Sequence, residues 1–106
     1  MFDLILTGGR MIDGTGAREQ KADLGIQGDR IQAIDDLSGM PAGQRLDVTG
    51  LCVCPGFIDV HSHSDAYLLI ESAAPSKIYQ GITTEIIGNC GVSAAPLKAI
   101  SHLPSD

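Results

Sequence analysis

The sequence predicts an α/β protein in two parts, because the spacing of its apolar residues changes at Pro55. Before this position, short apolar segments alternate with glycine-rich turns, a pattern typical of small β-structures. After it, a strand, a helical stretch and a second strand follow in order, as in a βαβ unit with parallel strands. We therefore expect a β-rich part over residues 1–55 and an incomplete α/β part over residues 56–106.

The first part is expected to be a small antiparallel sandwich or layered sheet. Residues 2–6 form its first apolar strand. Residues 24–34 are the clearest hairpin, in which a Gly-Asp pair joins two alternating arms and suits the turns that match strand twist. Residues 45–48 and 51–54 are expected to pair with each other around a Thr-Gly turn.

The second part begins with a short apolar strand and continues with residues 66–80, which can hold one or two helical turns. Ser72 or Ser76 is the expected N-cap of this helix, and Gly81 is expected to end it. Residues 82–87 are rich in β-branched side chains and form the second strand. A parallel pair leaves two unpaired edges, which favours a piece of a longer protein and predicts that the piece alone associates with itself.

Charge and composition exclude several classes of partner. The 106 residues carry 7 Lys and Arg against 13 Asp and Glu, a net charge of -6. Such a chain is unsuited to nucleic acids or anionic membranes, so neither is expected as a partner. Three cysteines without a signal-peptide pattern indicate free thiols in a reducing compartment, and the cytoplasm is the expected location.

Two histidines, His61 and His63, stand two residues apart at the end of an apolar strand. Alternate residues of a strand share a face, so both imidazoles and the carboxylate of Asp59 are expected on one side. Converging neutral imidazoles suit a divalent transition metal, and strand ends are where α/β folds keep their sites. Asp59 and Asp65 are candidates to support such ligands from behind, although Asp65 is equally well explained as an exposed loop acid.

Cys90 follows the second strand of the α/β part, in the sequence Gly-Asn-Cys-Gly. Parallel neighbouring strands end at the same edge, so Cys90 is expected near the histidines as a thiolate ligand, with a buried apolar role as the alternative. Cys52 and Cys54 lie on an apolar strand without the spacing of zinc motifs and are expected in the core. His102 receives no role, and neither a nucleophile elbow nor a phosphate-binding loop is present in the sequence.

These motifs resemble the amidohydrolase superfamily. Residues 55–63, Pro-Gly-Phe-Ile-Asp-Val-His-Ser-His, are similar to the first barrel strand of that superfamily, and residues 3–14 and 28–34 look like the β-sandwich that precedes the barrel. Residues 80–93, which include Gly-Asn-Cys-Gly, resemble the D-aminoacylase branch, whose members deacylate N-acyl-D-amino acids. The resemblance covers essentially the whole chain and implies part of a (β/α)₈ barrel with its β-sandwich.

The resemblance also implies a site. Cys90 matches a ligand of a tightly held zinc, and His61 and His63 match ligands of a second, weaker metal position. Zinc would activate water for attack on the amide carbonyl, while a carboxylate moves the proton to the departing amine. That carboxylate and the other ligands are expected beyond Asp106, so the 106 residues alone are expected to be inactive, since a barrel needs about 250 residues.

Two other interpretations stay open at this point. A cyclic amide hydrolase of the dihydroorotase or hydantoinase kind would share the β-rich start and the histidine pair. A non-catalytic β module would need neither metal nor substrate. The Gly-Asn-Cys-Gly segment favours the deacylase over both.

Overall fold

The structure is a computed structural model that describes residues 1–93 of the chain. It contains two compact units, Met1–Pro55 and Gly56–Asp106. The assignment of these units to two domains of a larger fold stays a prediction.

The first unit is one mixed β-sheet. The strands follow the order β3-β2-β1-β4, and β5 also pairs with β1. Neighbours β1–β2 and β2–β3 are antiparallel, whereas β4 and β5 both run parallel to β1. The strands are β1 (Phe2–Met11), β2 (Gln20–Gln27), β3 (Arg30–Asp35), β4 (Ala42–Asp47) and β5 (Cys52–Val53).

The predicted hairpin is confirmed. Gln27 lies opposite Arg30 in the ladder, which leaves Gly28 and Asp29 as the two loop residues. Gly28 has φ +59°, a left-handed conformation that an amino acid without a side chain adopts at little cost. The turn therefore has the chemistry that the sequence indicates.

The predicted pairing of residues 45–48 with 51–54 is wrong, and the expected antiparallel arrangement holds only for β1, β2 and β3. Both segments lie beside β1 instead. Val48 N donates to Thr7 O, and Arg10 N donates to Leu51 O, so the chain continues along β1 through the intervening turn. A short turn followed by parallel pairing to a third strand looks the same in sequence as a hairpin.

The core of the first unit is small. Its buried apolar side chains come from two strands, β1 and β2, and from the loops after β3 and β4, and are Ile5, Met11, Leu24, Leu37 and Val48. Cys52 and Cys54 were expected among them, but both are exposed. The reason is that β5 has only two residues and pairs only with β1, so the Cys52 thiol contacts the exposed side chain of Arg10 at 3.1 Å and not the core.

The second unit is the predicted strand, helix, strand unit. Its strands, β6 (Phe57–Ser62) and β7 (Ile82–Ile87), pair in parallel. A 3-10 turn (Tyr67–Leu69) and a short helix, α1 (Pro75–Ile78), connect them. No helix within residues 1–93 is long and apolar enough to cross a membrane.

The helix is capped differently from the prediction. Ala74 is its N-cap, with φ +43°, and Pro75 takes the first helical position, so neither Ser72 nor Ser76 caps it. Proline suits that position because its fixed φ is already helical and its missing N–H is not needed there. Gly81 has the expected left-handed φ of +80°, two residues beyond the C-cap Tyr79.

A bulge in β6 changes which side chains share a face. Asp59 pairs with Glu85 and Ser62 pairs with Ile87, so three steps along β6 match two along β7. Asp59 and Ser62 consequently both reach the same side chain, Lys77 of α1. The expectation that Asp59 lies on one side with the two histidines, opposite Ser62, is therefore wrong. Regular alternation does not extend through a bulge.

Candidate metal centre

The structure brings together the three side chains that the sequence proposes as ligands. One potential ligand atom from each of His61, His63 and Cys90 lies within 4.8 Å of the others. His61 Nε2 is 2.6 Å from Cys90 Sγ, and the two imidazole rings have centroids 5.4 Å apart at a tilt of 45°. All three residues are exposed, so an ion has access to them from solvent.

Backbone geometry accounts for this meeting. Strands β6 and β7 are parallel, so the residues after Ser62 and Ile87 emerge at the same edge of the sheet. Gly88 and Gly91 have φ +83° and +78°, and Gly91 N donates to Gly88 O at 3.1 Å. This tight turn lifts Cys90 out of the direction of β7, as expected from its flanking glycines.

Asn89 fastens the turn to the neighbouring strand. Its side-chain Nδ2 donates a hydrogen bond to Val60 O, at the start of the bulge in β6. The residue before the cysteine thus contacts the residue before His61. Sequence reasoning missed this role, since an asparagine between glycines is equally typical of any surface turn.

A half-buried charged network lies behind the histidines. Lys77 Nζ is 2.7 Å from Asp59 Oδ2, 3.2 Å from Glu85 Oε1 and 3.3 Å from Ser62 Oγ. Ser64 Oγ donates to Glu85 Oε1 at 3.0 Å, and Asp59 Oδ1 accepts the backbone N–H of His61 at 3.1 Å. Asp59 therefore supports the backbone of a predicted ligand, by a contact that the sequence did not indicate.

These contacts shift the ionisation of the three charged groups. Hydrogen bonding to Asp59 and Glu85 raises the pKa of Lys77. Hydrogen bonds from Lys77 and the His61 backbone lower the pKa of Asp59. Burial raises the pKa of Glu85, but hydrogen bonds from Ser64 and Lys77 outweigh it and the net shift is downward. All three groups are therefore charged at neutral pH.

Sequence reasoning missed Lys77 and Glu85, although a signal for Glu85 existed. Each of the two short strands carries one acidic residue, Asp59 between the apolar residues Ile58 and Val60 in β6 and Glu85 among β-branched residues in β7. A carboxylate in such a strand is seldom buried without a partner. Two of them at neighbouring positions call for a shared cation, and Lys77 is that cation.

The remaining predicted residues lie at or beyond the margin of this cluster. Asp65 is half-buried in the turn after β6, and a shallow depression of about 370 Å³ beside the histidines is lined in part by Ser64, Tyr67 and Lys77. His102 lies outside the described residues. The general base is predicted beyond Asp106 and is therefore not among them.

The three side chains have the right chemistry to bind zinc, but two of the ligand atoms lie closer together than they would on a bound zinc ion. Two imidazoles and a thiolate are among the preferred ligands of Zn²⁺. Tetrahedral bonds of normal length would hold a nitrogen and a sulfur ligand about 3.6 Å apart. His61 Nε2 and Cys90 Sγ are in contact at 2.6 Å, so an ion bound by both would increase their separation by about 1 Å.

Sequence comparison finds that the chain is similar to proteins named as deacylases. It is 56% identical over 96 residues to a D-aminoacylase from Alcaligenes xylosoxydans xylosoxydans, covering 91% of this chain and 20% of that protein. It is 50% identical over 95 residues to an N-acyl-D-glutamate deacylase from the same organism, covering 90% and 20%. The chain thus spans about a fifth of the length of the curated relatives that it matches. No family model matches it.

Solved structures of the same kinds of enzyme are similar to this chain in fold. A D-aminoacylase with a binuclear metal centre, activated by one metal and attenuated by the second, superposes with a TM-score of 0.87 at 54% identity, covering 93% of this chain and 21% of that chain. An N-acyl-D-glutamate deacylase from Bordetella bronchiseptica, complexed with zinc and a phosphonate inhibitor, gives 0.84 at 50% identity, with 90% and 20% coverage. An L-hydantoinase from Arthrobacter aurescens gives 0.62 at 30% identity, with 80% and 20% coverage.

Proposed function

From the family to which this chain belongs, the D-aminoacylases of the amidohydrolase superfamily, we propose that it forms part of the active site of a metal-dependent hydrolase of N-acyl-D-amino acids. The products would be a carboxylate and a free D-amino acid. Two relatives, one named D-aminoacylase and one named N-acyl-D-glutamate deacylase, share half or more of their aligned residues with this chain. The proposed substrate class follows from these two together.

The meeting of His61, His63 and Cys90 is the observation that carries the proposal. The three residues come from two strand ends, and their potential ligand atoms lie within 4.8 Å of one another. A cluster of this composition has no function in the packing of the unit, since all three residues are exposed. Support for metal binding comes from this geometry together with the metal centres of the related enzymes.

We assign unequal roles to the two kinds of ligand. Cys90 would hold a tightly bound zinc, and His61 with His63 would serve a second, weaker position. When bound, zinc supplies the Lewis acidity that activates water and polarises the amide carbonyl. The thiolate of Cys90 adds negative charge at this position, while the β6 strand holds the two imidazoles beside it.

Other parts of the reaction require residues outside this chain. The general-base carboxylate and further metal ligands are predicted beyond Asp106, in the part of the related enzymes that the chain does not span. The 106 residues alone are therefore proposed to be inactive. The proposed location of the protein is the cytoplasm. Their proposed contribution is the first ligands of the site.

The geometry also supports a weaker proposal, self-association of the isolated chain. Among the described residues of the second unit, β6 and β7 pair only with each other, which leaves one free edge on each strand. Ile58 and Val60 of β6 are 60% and 61% exposed, as is Phe57 at 59%. Free edges with exposed apolar side chains pair with further strands when these are available.

A cyclic amide hydrolase is the alternative function. The L-hydantoinase shares the fold at lower identity, and a β-rich start with two histidines would suit it equally. Cys90 separates the two, because its thiol lies in contact with His61, where it would compete with any ligand from elsewhere. A carboxylated lysine ligand in the longer protein would favour the cyclic amide hydrolase.

The test uses a longer protein that carries this chain with the remainder of the barrel. Cys90→Ala should remove most bound zinc and abolish release of the D-amino acid from an N-acetyl-D-amino acid, with Cys54→Ala as the matched control. Normal zinc content and turnover in C90A would overturn the proposal. Hydrolysis of hydantoin without hydrolysis of the acyl amino acid would replace it with the alternative.

A further inference from the structure

Lys77 contacts both ends of the bulge that carries His61. Its Nζ is 2.7 Å from Asp59 Oδ2 on one side of the bulge and 3.3 Å from Ser62 Oγ on the other. We propose that Lys77 is a positioning residue for the metal site: it fixes the bulge and thereby aims His61 at Cys90. This inference rests on the proposed function, because it concerns the same site.

Lys77 is connected to the backbone of His61 through Asp59. The carboxylate of Asp59 bridges the two, since Oδ2 accepts from Lys77 and Oδ1 accepts from His61 N at 3.1 Å. Both oxygens are thus in use, which fixes the rotation of the carboxylate. By fixing the carboxylate of Asp59, Lys77 also fixes the position of the peptide N–H of His61.

Ser62, which stands between the two histidines in sequence, is also held by Lys77. Its side chain is 4% exposed and faces Lys77, whereas His61 and His63 are exposed. Lys77 and Ser64 Oγ, the latter at 2.7 Å, contact its hydroxyl. A fixed Ser62 keeps the residues on either side pointing outward, so the single ammonium group of Lys77 restrains the backbone before and after His61.

Lys77 is itself held in place by Glu85. Glu85 Oε1 lies 3.2 Å from its Nζ and comes from β7, the strand that leads to Cys90. The side chains of Lys77 and Asp59 are each 24% exposed and that of Glu85 is 14% exposed, so water screens these contacts less than it would on an open surface. Lys77 therefore ties together the two strands from which the three ligands emerge.

The contacts differ from those of a general stabilising ion pair in one respect. They converge on the backbone of one ligand and on the residue between two ligands. Loss of a group that orients metal ligands from behind commonly weakens metal affinity by about 10- to 100-fold. A stabilising ion pair elsewhere would change the unfolding free energy and leave the affinity of the folded protein unchanged.

The test is titration of the 106-residue chain with cobalt(II) chloride, followed by its visible absorption. Lys77→Met removes the ammonium group and keeps the length of the side chain. Lys21→Met, at an exposed lysine of β2 in the other unit, is the matched control for loss of one positive charge. Measurements are made at a temperature at which circular dichroism shows both variants folded.

We expect Lys77→Met to weaken cobalt binding about 10-fold or more and to alter the cobalt spectrum, while Lys21→Met changes neither. Equal affinity and an unchanged spectrum in folded K77M would overturn the proposal. If K77M does not fold, Ser62→Ala decides, because it removes one of the two bulge contacts and leaves both ion pairs. S62A should weaken binding to a smaller extent, and wild-type affinity in S62A would overturn the proposal.

A metal-free measurement separates this inference from the proposed function. Hydrogen exchange of the His61 amide should be faster in K77M than in wild type and K21M, since the acceptor Asp59 is no longer held. Unchanged exchange would overturn the positioning role. Failure of the wild-type chain to take up cobalt would count against the metal site, and the exchange result would still decide the role of Lys77.

Discussion

His61 Nε2 lies 2.6 Å from Cys90 Sγ, so two side chains separated by 29 positions in sequence form a direct hydrogen bond. The contact depends on two local features, the bulge in β6 and the glycine-flanked turn after β7. A nitrogen and a sulfur ligand on one tetrahedral zinc ion stand about 3.6 Å apart, so an ion bound by both atoms would increase their separation by about 1 Å. Metal binding therefore requires a small movement of the bulge or of the cysteine turn.

The first prediction is that Cys90 supplies a thiolate to the metal. Cobalt(II) bound to the chain should give an intense near-ultraviolet thiolate-to-metal absorption, which Cys90→Ser should abolish while weakening binding about 10-fold or more. Cys52→Ser is the matched control, since Cys52 is also exposed and lies outside the cluster. Retention of the absorption band in C90S, or its loss in C52S, would assign the thiolate elsewhere.

The second prediction concerns Asn89, whose side chain joins the cysteine turn to Val60 of β6. Asn89→Ala should weaken metal binding several-fold, because the turn loses its connection to the strand of His61. Isothermal titration with zinc chloride measures the change. Gln80→Ala is the control, since Gln80 also donates a side-chain amide to a backbone oxygen, that of Ser76. Equal affinities in N89A and Q80A would contradict a role for this bond in the site.

The site could be predicted from sequence as far as strand ends alone determine it. His61 and His63 at the end of one strand, and Cys90 after the next, indicate a shared edge without any knowledge of side-chain contacts. The support behind them could not be predicted in the same way. Asp59 was placed beside the imidazoles by alternation, but the bulge turns it toward Lys77.

The fold shows the same division between local and non-local information. The Gly28 hairpin and the strand over Ile82–Ile87 follow from residues within a few positions of each other and were predicted correctly. The partner of β4 depends on β1, some 40 residues earlier, and no local pattern identifies it. The exposure of Cys52 depends on how little sheet lies around β5, which is likewise non-local.

The third prediction is a pH dependence of the second unit. Despite its burial, the pKa of Glu85 in the folded state is lowered from its ordinary value of 4.5 by the hydrogen bonds that it accepts. The contribution of Glu85 to stability is therefore complete above pH 4.5 and is lost as the pH falls through the lowered pKa. The pKa of Lys77 is raised from 10.5, so its contribution is complete below 10.5 and is lost as the pH rises through the raised value. Stability of this unit should therefore decline at both extremes.

The acid limb of this dependence is assigned by substitution. Glu85→Gln should flatten the fall in unfolding free energy as the pH drops below 4.5, measured by urea denaturation. Glu71→Gln is the control, because Glu71 is exposed and lies in the same unit. An acid limb that is as steep in E85Q as in E71Q would show that other carboxylates are responsible.

The fourth prediction tests the packing of the first unit at Gly25. A Cβ at this buried position of β2 would lie 2.6 Å from Phe2 Cε1 and 2.9 Å from Leu37 Cδ1, closer than carbon atoms approach. Gly25→Ala should therefore destabilise the unit by about 1–3 kcal/mol in urea denaturation. Gly39→Ala is the control, since a Cβ at Gly39 has nothing within 4 Å. A loss as large in G39A would contradict the clash as the cause, since alanine only reduces the freedom of the unfolded chain and thereby favours the folded state.

The fifth prediction concerns the exposed apolar face of β6. If the isolated chain associates through this strand, Ile58→Lys should shift it toward the monomer, because a charge on the face opposes the approach of another sheet. Ile31→Lys is the matched control: Ile31 of β3 is 63% exposed, against 60% for Ile58, but belongs to the first unit. Size-exclusion chromatography with light scattering gives the mass of each variant. A wild-type chain that is already monomeric at high concentration would remove the association, and equal effects of both lysines would assign it to general solubility and not to β6.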